Sequence, residues 1–92
     1  MDITWIRRER RAFTNHLLTR FDNGYGLSVI PEEFASVPGL SEAAVIRWTG
    51  DGERDWTLTS PFEEPDDGIL RYATVSDVEA FAQRVADLPP TG

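Results

Sequence analysis

Four carboxylates fall within five positions of one another, Glu63, Glu64, Asp66 and Asp67, in the stretch SPFEEPDDG. Such a cluster can hold a hard cation, do acid–base work, or meet a positively charged partner. A calcium loop places its oxygen ligands at alternating positions, and Pro65 interrupts that alternation here. The neighbouring Asp51-Gly52-Glu53 is too short to supply a ligand set. Carboxylates paired for glycoside hydrolysis need a deep cleft, and a chain of 92 residues is barely large enough to build one. Zinc requires Cys or His ligands, whereas this chain has no Cys and one His, His16. That histidine has no Ser or Thr partner at a spacing that marks a nucleophile, so it reads as an ordinary strand residue. We assign no catalytic residue, no cofactor and no metal. The cluster is then a solvated loop or a recognition surface, with Phe62 beside it as the apolar anchor of a contact.

Charge is distributed unevenly. The net charge is −7, and all nine basic residues are Arg. Arg7, Arg8, Arg10 and Arg11 stand against one acid, Glu9, a local net of +3, while the rest of the chain sets five Arg against fifteen acids, a net of −10. The Arg run can touch phosphate and is the secondary candidate for a binding surface. An acidic body repels nucleic acid at long range, which disfavours it as the partner and favours a basic protein surface. No apolar run approaches the ~20 residues of a membrane span, and the arginines near the N-terminus have no apolar segment behind them, so no membrane partner and no secretion signal are expected.

The other stretch with chemical promise is FDNGYGLSV, Phe21 to Val29. Two glycines close together suggest a phosphate-cradling loop, but a nucleotide fingerprint needs a third glycine and a helix directly after it. Here LSVIP follows, a strand and then a breaker. Asn-Gly instead marks a hairpin. If Asn23-Gly24 is a two-residue type I′ loop, Asp22 opposes Tyr25, Phe21 opposes Gly26, Thr19 opposes Ser28 and Leu17 opposes Ile30. Leu18 then shares a face with Val29, and the Phe21 ring covers the gap left by Gly26.

The remaining elements follow from periodicity. Residues 1–12 form an Arg-rich segment whose pattern fits either a helix or a loose arm leading into the first hairpin, 13–30. PEEFASVPGLSE is a connector, with one helical turn expected from Pro31. A second hairpin spans 41–60: Ala44, Ile46 and Trp48 alternate with polar positions, and the turn at GDGE sets Trp48 against Trp56 and Ile46 against Leu58. ILRY reads as a short strand. From 75 to 87 Val75, Val78, Phe81, Ala82 and Val85, with Leu88 just beyond, repeat every three or four residues. Thr74 or Ser76 is placed to cap this helix, Asp77 and Glu79 lie in its first turn, and Pro89-Pro90 stop it. The expected fold is one α+β domain over 1–92, a small antiparallel sheet of two hairpins with the amphipathic C-terminal helix packed on one face.

The same FDNGYGLSV string resembles the F-x-N-G-Y-G-x-S-V signature of small uncharacterised proteins encoded by tailed bacteriophages. Ser60-Pro61, Asp66-Asp67-Gly68, Leu70-Arg71-Tyr72-Ala73-Thr74 and Ala86-Asp87-Leu88-Pro89 echo the later landmarks of that group. The resemblance implies a phage or prophage origin and a non-structural accessory role; a chain with no Cys, no membrane-length apolar run and no secretion signal is expected in the cytoplasm, here that of a bacterial host cell. With the acidic charge, it leads to a non-enzymatic protein that binds a host macromolecule. Its sharpest form is an inhibitor of the anti-CRISPR or DNA-mimic type, whose carboxylates occupy a basic groove. A self-associating assembly protein, for which a homodimer would serve, and a nucleic-acid binder using the Arg run are the alternatives.

Overall fold

The computed structural model describes residues 5–9, 15–30, 41–52 and 54–91. Six strands precede one helix: β1 (Trp5–Glu9), β2 (Asn15–Thr19), β3 (Tyr25–Ile30), β4 (Ser41–Trp48), β5 (Trp56–Leu58), β6 (Ile69–Ala73) and α1 (Val75–Ala86). The strands form one antiparallel sheet in the order β1-β2-β3-β4-β5, and β6 also pairs with β4. The α+β architecture expected from the pattern is therefore the one observed. Part of the Arg-rich segment belongs to the sheet: Arg7 and Arg8 lie in β1, in register with Leu17 and His16. Over Trp5–Glu9, the described part of that segment, the backbone is a strand, where the pattern fitted a helix or a loose arm. The connector at 31–40 and the helical turn expected from Pro31 lie outside the described residues.

The second hairpin has the expected register, with Trp48 opposite Trp56, Arg47 opposite Thr57 and Ile46 opposite Leu58. The first is shifted by one residue. Leu17 pairs with Val29 and Leu18 with Ser28. The Gly24 N–H donates to the Phe21 carbonyl at 3.2 Å, and the Phe21 N–H donates to the Tyr25 carbonyl at 2.8 Å. Phe21 therefore faces Tyr25 across a three-residue loop, and Gly24, at φ +88°, takes the left-handed position that such a loop requires. Because side chains alternate with period two, one residue of slip separates pairs expected to share a face. Leu17 and Val29 belong with the helix-side core, while Leu18 lies on the other face with Ile46 and Trp48.

The slip also changes what Gly26 does. Phe21 does not cover it. A Cβ there would run into the Thr19 carbonyl and come within 2.7 Å of Trp48 Nε1. Those two groups are bonded to each other, the indole N–H donating to the Thr19 carbonyl at 2.8 Å. The Leu27 N–H turns instead to Thr19 Oγ1 at 2.6 Å. Thr19 is fully buried, and its carbonyl and hydroxyl oxygens both accept a hydrogen bond, as burial of polar groups demands.

β4 is the central strand. One edge pairs with β3; the other is shared between β5, along Ile46–Trp48, and β6, along Ser41–Ala44. At the changeover the Val45 N–H donates to the Gly68 carbonyl at 2.8 Å, and the Val45 carbonyl accepts from the Thr59 N–H at 3.1 Å. On one face Leu27, Val29, Ala43 and Val45 meet Val78, Phe81, Ala82 and Val85 of α1. On the opposite face Leu18, Ile46 and Trp48 form a second cluster, flanked by Trp56. The helix begins with Thr74, whose hydroxyl accepts from the Asp77 N–H while the Asp77 carboxylate accepts from the Thr74 N–H, a reciprocal capping box. Val75, expected in the apolar stripe, is 70% exposed. It is the first helical residue, and the core-facing stripe starts one turn later at Val78.

Two substitutions test this packing. Phe81→Ala is expected to cost about 3–5 kcal/mol in denaturant unfolding, since the ring is nearly fully buried. Trp48→Phe keeps most of the apolar volume and removes the indole N–H. It is expected to cost about 1–3 kcal/mol by leaving the buried Thr19 carbonyl without its donor.

Candidate interaction site

The acidic stretch is a closed loop with both ends fixed to the sheet. Thr59 and Gly68 bond to the same residue, Val45, at its carbonyl and its N–H along one edge of β4. Gly68 has φ +73°, and a Cβ on it would collide with the Thr59 carbonyl. The chain between them is thus a compact excursion whose ends almost touch. The Gly68 N–H donates to the Pro65 carbonyl at 3.1 Å, turning the chain back. Asp67 Oδ1 accepts from the Ile69 N–H at 3.0 Å. The loop is also pinned to the helix. The Phe62 ring lies 5.9 Å from that of Phe81, and the Arg84 guanidinium sits 4.2 Å above Phe62. Arg84 also donates to the Glu64 carbonyl at 3.0 Å.

This geometry sorts the residues singled out from the sequence. Glu63, Glu64, Asp66 and Asp67 are all exposed on one loop. Asp67 is paired with Arg71 at 2.8 Å. The Arg71 hydrogen bond is the main cause that holds the Asp67 carboxyl below the usual carboxylate range, and the Ile69 N–H adds to it. Arg71 is raised in turn, chiefly by Asp67 and to a smaller extent by Glu42 and Tyr72. Among the described residues the side chains of Glu63, Glu64 and Asp66 form no ion pair. Phe62 is half-buried between Phe81 and Arg84, so it fastens the loop.

Two exposed apolar groups lie nearby, neither of them singled out from the sequence as a contact residue. Tyr72 is 61% exposed and has a left-handed backbone, φ +56°. It sits where the β4–β6 register shifts between Ser41 and Ala43, so β6 carries an extra residue there. A bulky residue in that conformation is uncommon, and bulges re-aim side chains. Val75 follows three residues later. Tyr72 lies next in sequence to Arg71, which joins it to the acidic loop through Asp67. A sequence signal for Tyr72 would have needed the bulge, which depends on pairing between segments about thirty residues apart.

The FDNGYG string holds the fold together. Asn23 Nδ2 donates to the carbonyls of Val85, Ala86 and Leu88 at 2.8, 3.2 and 3.0 Å. Its Oδ1 accepts from the Tyr25 N–H at 3.1 Å, and its backbone carbonyl accepts from the Thr91 N–H at 2.9 Å. Arg20 completes the region, stacked 4.1 Å over Trp48 and donating to the Gly50 carbonyl at 2.8 Å.

Of the Arg run, Arg10 and Arg11 lie outside the described residues, while Arg7 and Arg8 are edge-strand positions. Among the described residues no three His, Cys, Asp or Glu side chains are grouped to hold a metal ion, and no helix is long and apolar enough to cross a membrane. Comparison with family models, with curated proteins and with solved structures finds no match.

The Asp67–Arg71 pair and the Asp77 cap give a pH dependence of known sign. Both carboxyls are lowered in the fold, Asp77 by the Thr74 N–H and hydroxyl. Their contribution to stability is present above the unfolded-state carboxyl pKa and is lost as pH falls through the lower folded values. In an NMR titration the Asp67 midpoint is expected below the ordinary Asp value, and Arg71→Met is expected to raise it. A midpoint that stays in place in the variant would remove the ion pair as its cause.

Proposed function

We propose that this chain is a small, non-enzymatic phage or prophage accessory protein that binds the basic surface of a host protein through the loop 60–67. The observation that carries this reading is a recognition-type construction. The loop is fastened at its base by Val45 and on its flank by Phe62 and Arg84, and it still leaves the side chains of Glu63, Glu64 and Asp66 exposed. Clustered carboxylates repel one another, so folding alone disfavours holding them together; a cationic partner turns that repulsion into attraction. Fixing the loop in advance lowers the ordering cost of association. Tyr72 and Val75 supply the exposed apolar contact first assigned to Phe62. Tyr is favoured as an interface anchor because its ring buries a large area while its hydroxyl stays hydrogen-bonded. In this division of labour the carboxylates set the association rate and salt dependence, and the aromatic contact sets the lifetime. The sharpest version is an inhibitor whose carboxylates occupy a groove meant for nucleic acid, of the anti-CRISPR or DNA-mimic type. The phage-like FDNGYGLSV string and the −10 body support that setting.

The test uses the partner retained from a bacterial host lysate by the immobilised protein and identified by mass spectrometry. Replacing Glu63, Glu64, Asp66 and Asp67 by Gln or Asn is expected to weaken binding at least about tenfold at low salt, with circular dichroism unchanged. Tyr72→Ala is expected mainly to speed dissociation. A quadruple variant that binds as tightly as the parent at low salt would reduce the loop to a solvated surface. Partner-independent self-association through the β1 edge would favour the assembly reading.

A further inference from the structure

We propose that Asn23-Gly24 is a site of spontaneous deamidation that the fold shields, and that its conversion irreversibly unlatches the C-terminal helix from the first hairpin. The reaction needs water alone. The Gly24 backbone nitrogen loses its proton to water and attacks the side-chain carbonyl carbon of Asn23. A C–N bond forms there, the bond to Nδ2 breaks, and ammonia leaves with a proton returned by water. Water then opens the five-membered imide at one carbonyl or the other. The product is an aspartate, or an isoaspartate in which the chain runs through the former side chain. Glycine is the least hindered residue to follow the asparagine, because it carries no Cβ.

In the folded chain both reacting groups are already engaged. Asn23 Nδ2 donates to three carbonyls at the end of α1, Oδ1 accepts from Tyr25, and the Gly24 N–H donates to the Phe21 carbonyl. For attack, the amide must swing back over its own backbone and give up all three helix contacts together. Reaction in the folded protein therefore proceeds only through the fraction of molecules in which this clamp is open. The product reverses the site's chemistry. An ionised carboxylate donates nothing, and here it stands before the carbonyls of Val85, Ala86 and Leu88, at the negative end of the helix dipole. The side-chain latch becomes a repulsive contact beside the backbone bond by which the Asn23 carbonyl holds the Thr91 N–H.

Two measurements on the full chain decide the matter. Incubated at mildly alkaline pH and followed by peptide mapping, Asn23 is expected to convert roughly tenfold or more slowly in the native protein than in denaturant. Equal rates would overturn the shielding. Asn23→Asp is then compared with Asn23→Ser, which loses the amide donor without adding charge. The Asp variant is expected to be the less stable at neutral pH, with the gap narrowing as acid protonates the carboxylate and restores a donor. An Asp variant that fails to fold at neutral pH while the Ser variant folds reads the same way if acid narrows the gap. A gap absent at neutral pH, or unmoved by acid, overturns the unlatching.

Discussion

Everything on the helix side of this domain depends on how one side-chain amide closes the end of α1. A helix leaves its last carbonyls without intrahelical partners, and a glycine just past the end is the common remedy. This helix has no such glycine: Asp87 caps it in a right-handed conformation, and Leu88-Pro89-Pro90 follow. Asn23 supplies a donor from the tip of the first hairpin, more than sixty residues earlier, and its NH2 group reaches three carbonyls, of which that of Val85 also accepts from the Leu88 N–H. The same residue orders its own turn through Tyr25 and holds the tail through Thr91. The hairpin tip, the helix end and the tail therefore form one cooperative unit, and the apolar contacts of Phe81 and Val85 work within that frame.

The opposite face is organised by a second long-range polar contact. The Trp48 indole reaches across β3 to the Thr19 carbonyl, and it can do so only because Gly26 leaves the path clear. Arg20 then lies over the same indole. Both glycines of the FDNGYGLSV string thus have structural work, Gly24 in the turn and Gly26 beneath the indole contact. The string marks how the sheet is assembled, and the surface proposed for recognition lies in another part of the chain.

Much of the fold was legible in the sequence because it rests on local patterns. The second hairpin follows from alternation around one short turn, and α1 from its apolar stripe and its Thr74–Asp77 start. What escaped depends on distant partners. Asn-Gly is compatible with both a two-residue and a three-residue loop; the three-residue form occurs here together with the contact of Asn23 to the helix end, which no window of sequence around the turn contains. The place of β1 was hidden by its arginines, which obscure strand alternation. For the candidate site, the exposed acids were readable from composition, whereas the half-burial of Phe62 was not, because it depends on Phe81 and Arg84 of a distant helix. Tyr72 was missed because its exposure is the product of a bulge.

The shared edge of β4 has an evolutionary consequence. Thr59 and Gly68 are held in place by one residue of a central strand, so the segment between them can change in length or composition while its two attachment points stay put. For a flexible segment, each doubling of length adds only about 0.6 kcal/mol of closure entropy. Selection can therefore rework the chemistry displayed there with little penalty to the rest of the molecule. Change at the rim is thereby uncoupled from the strands and helix beneath it.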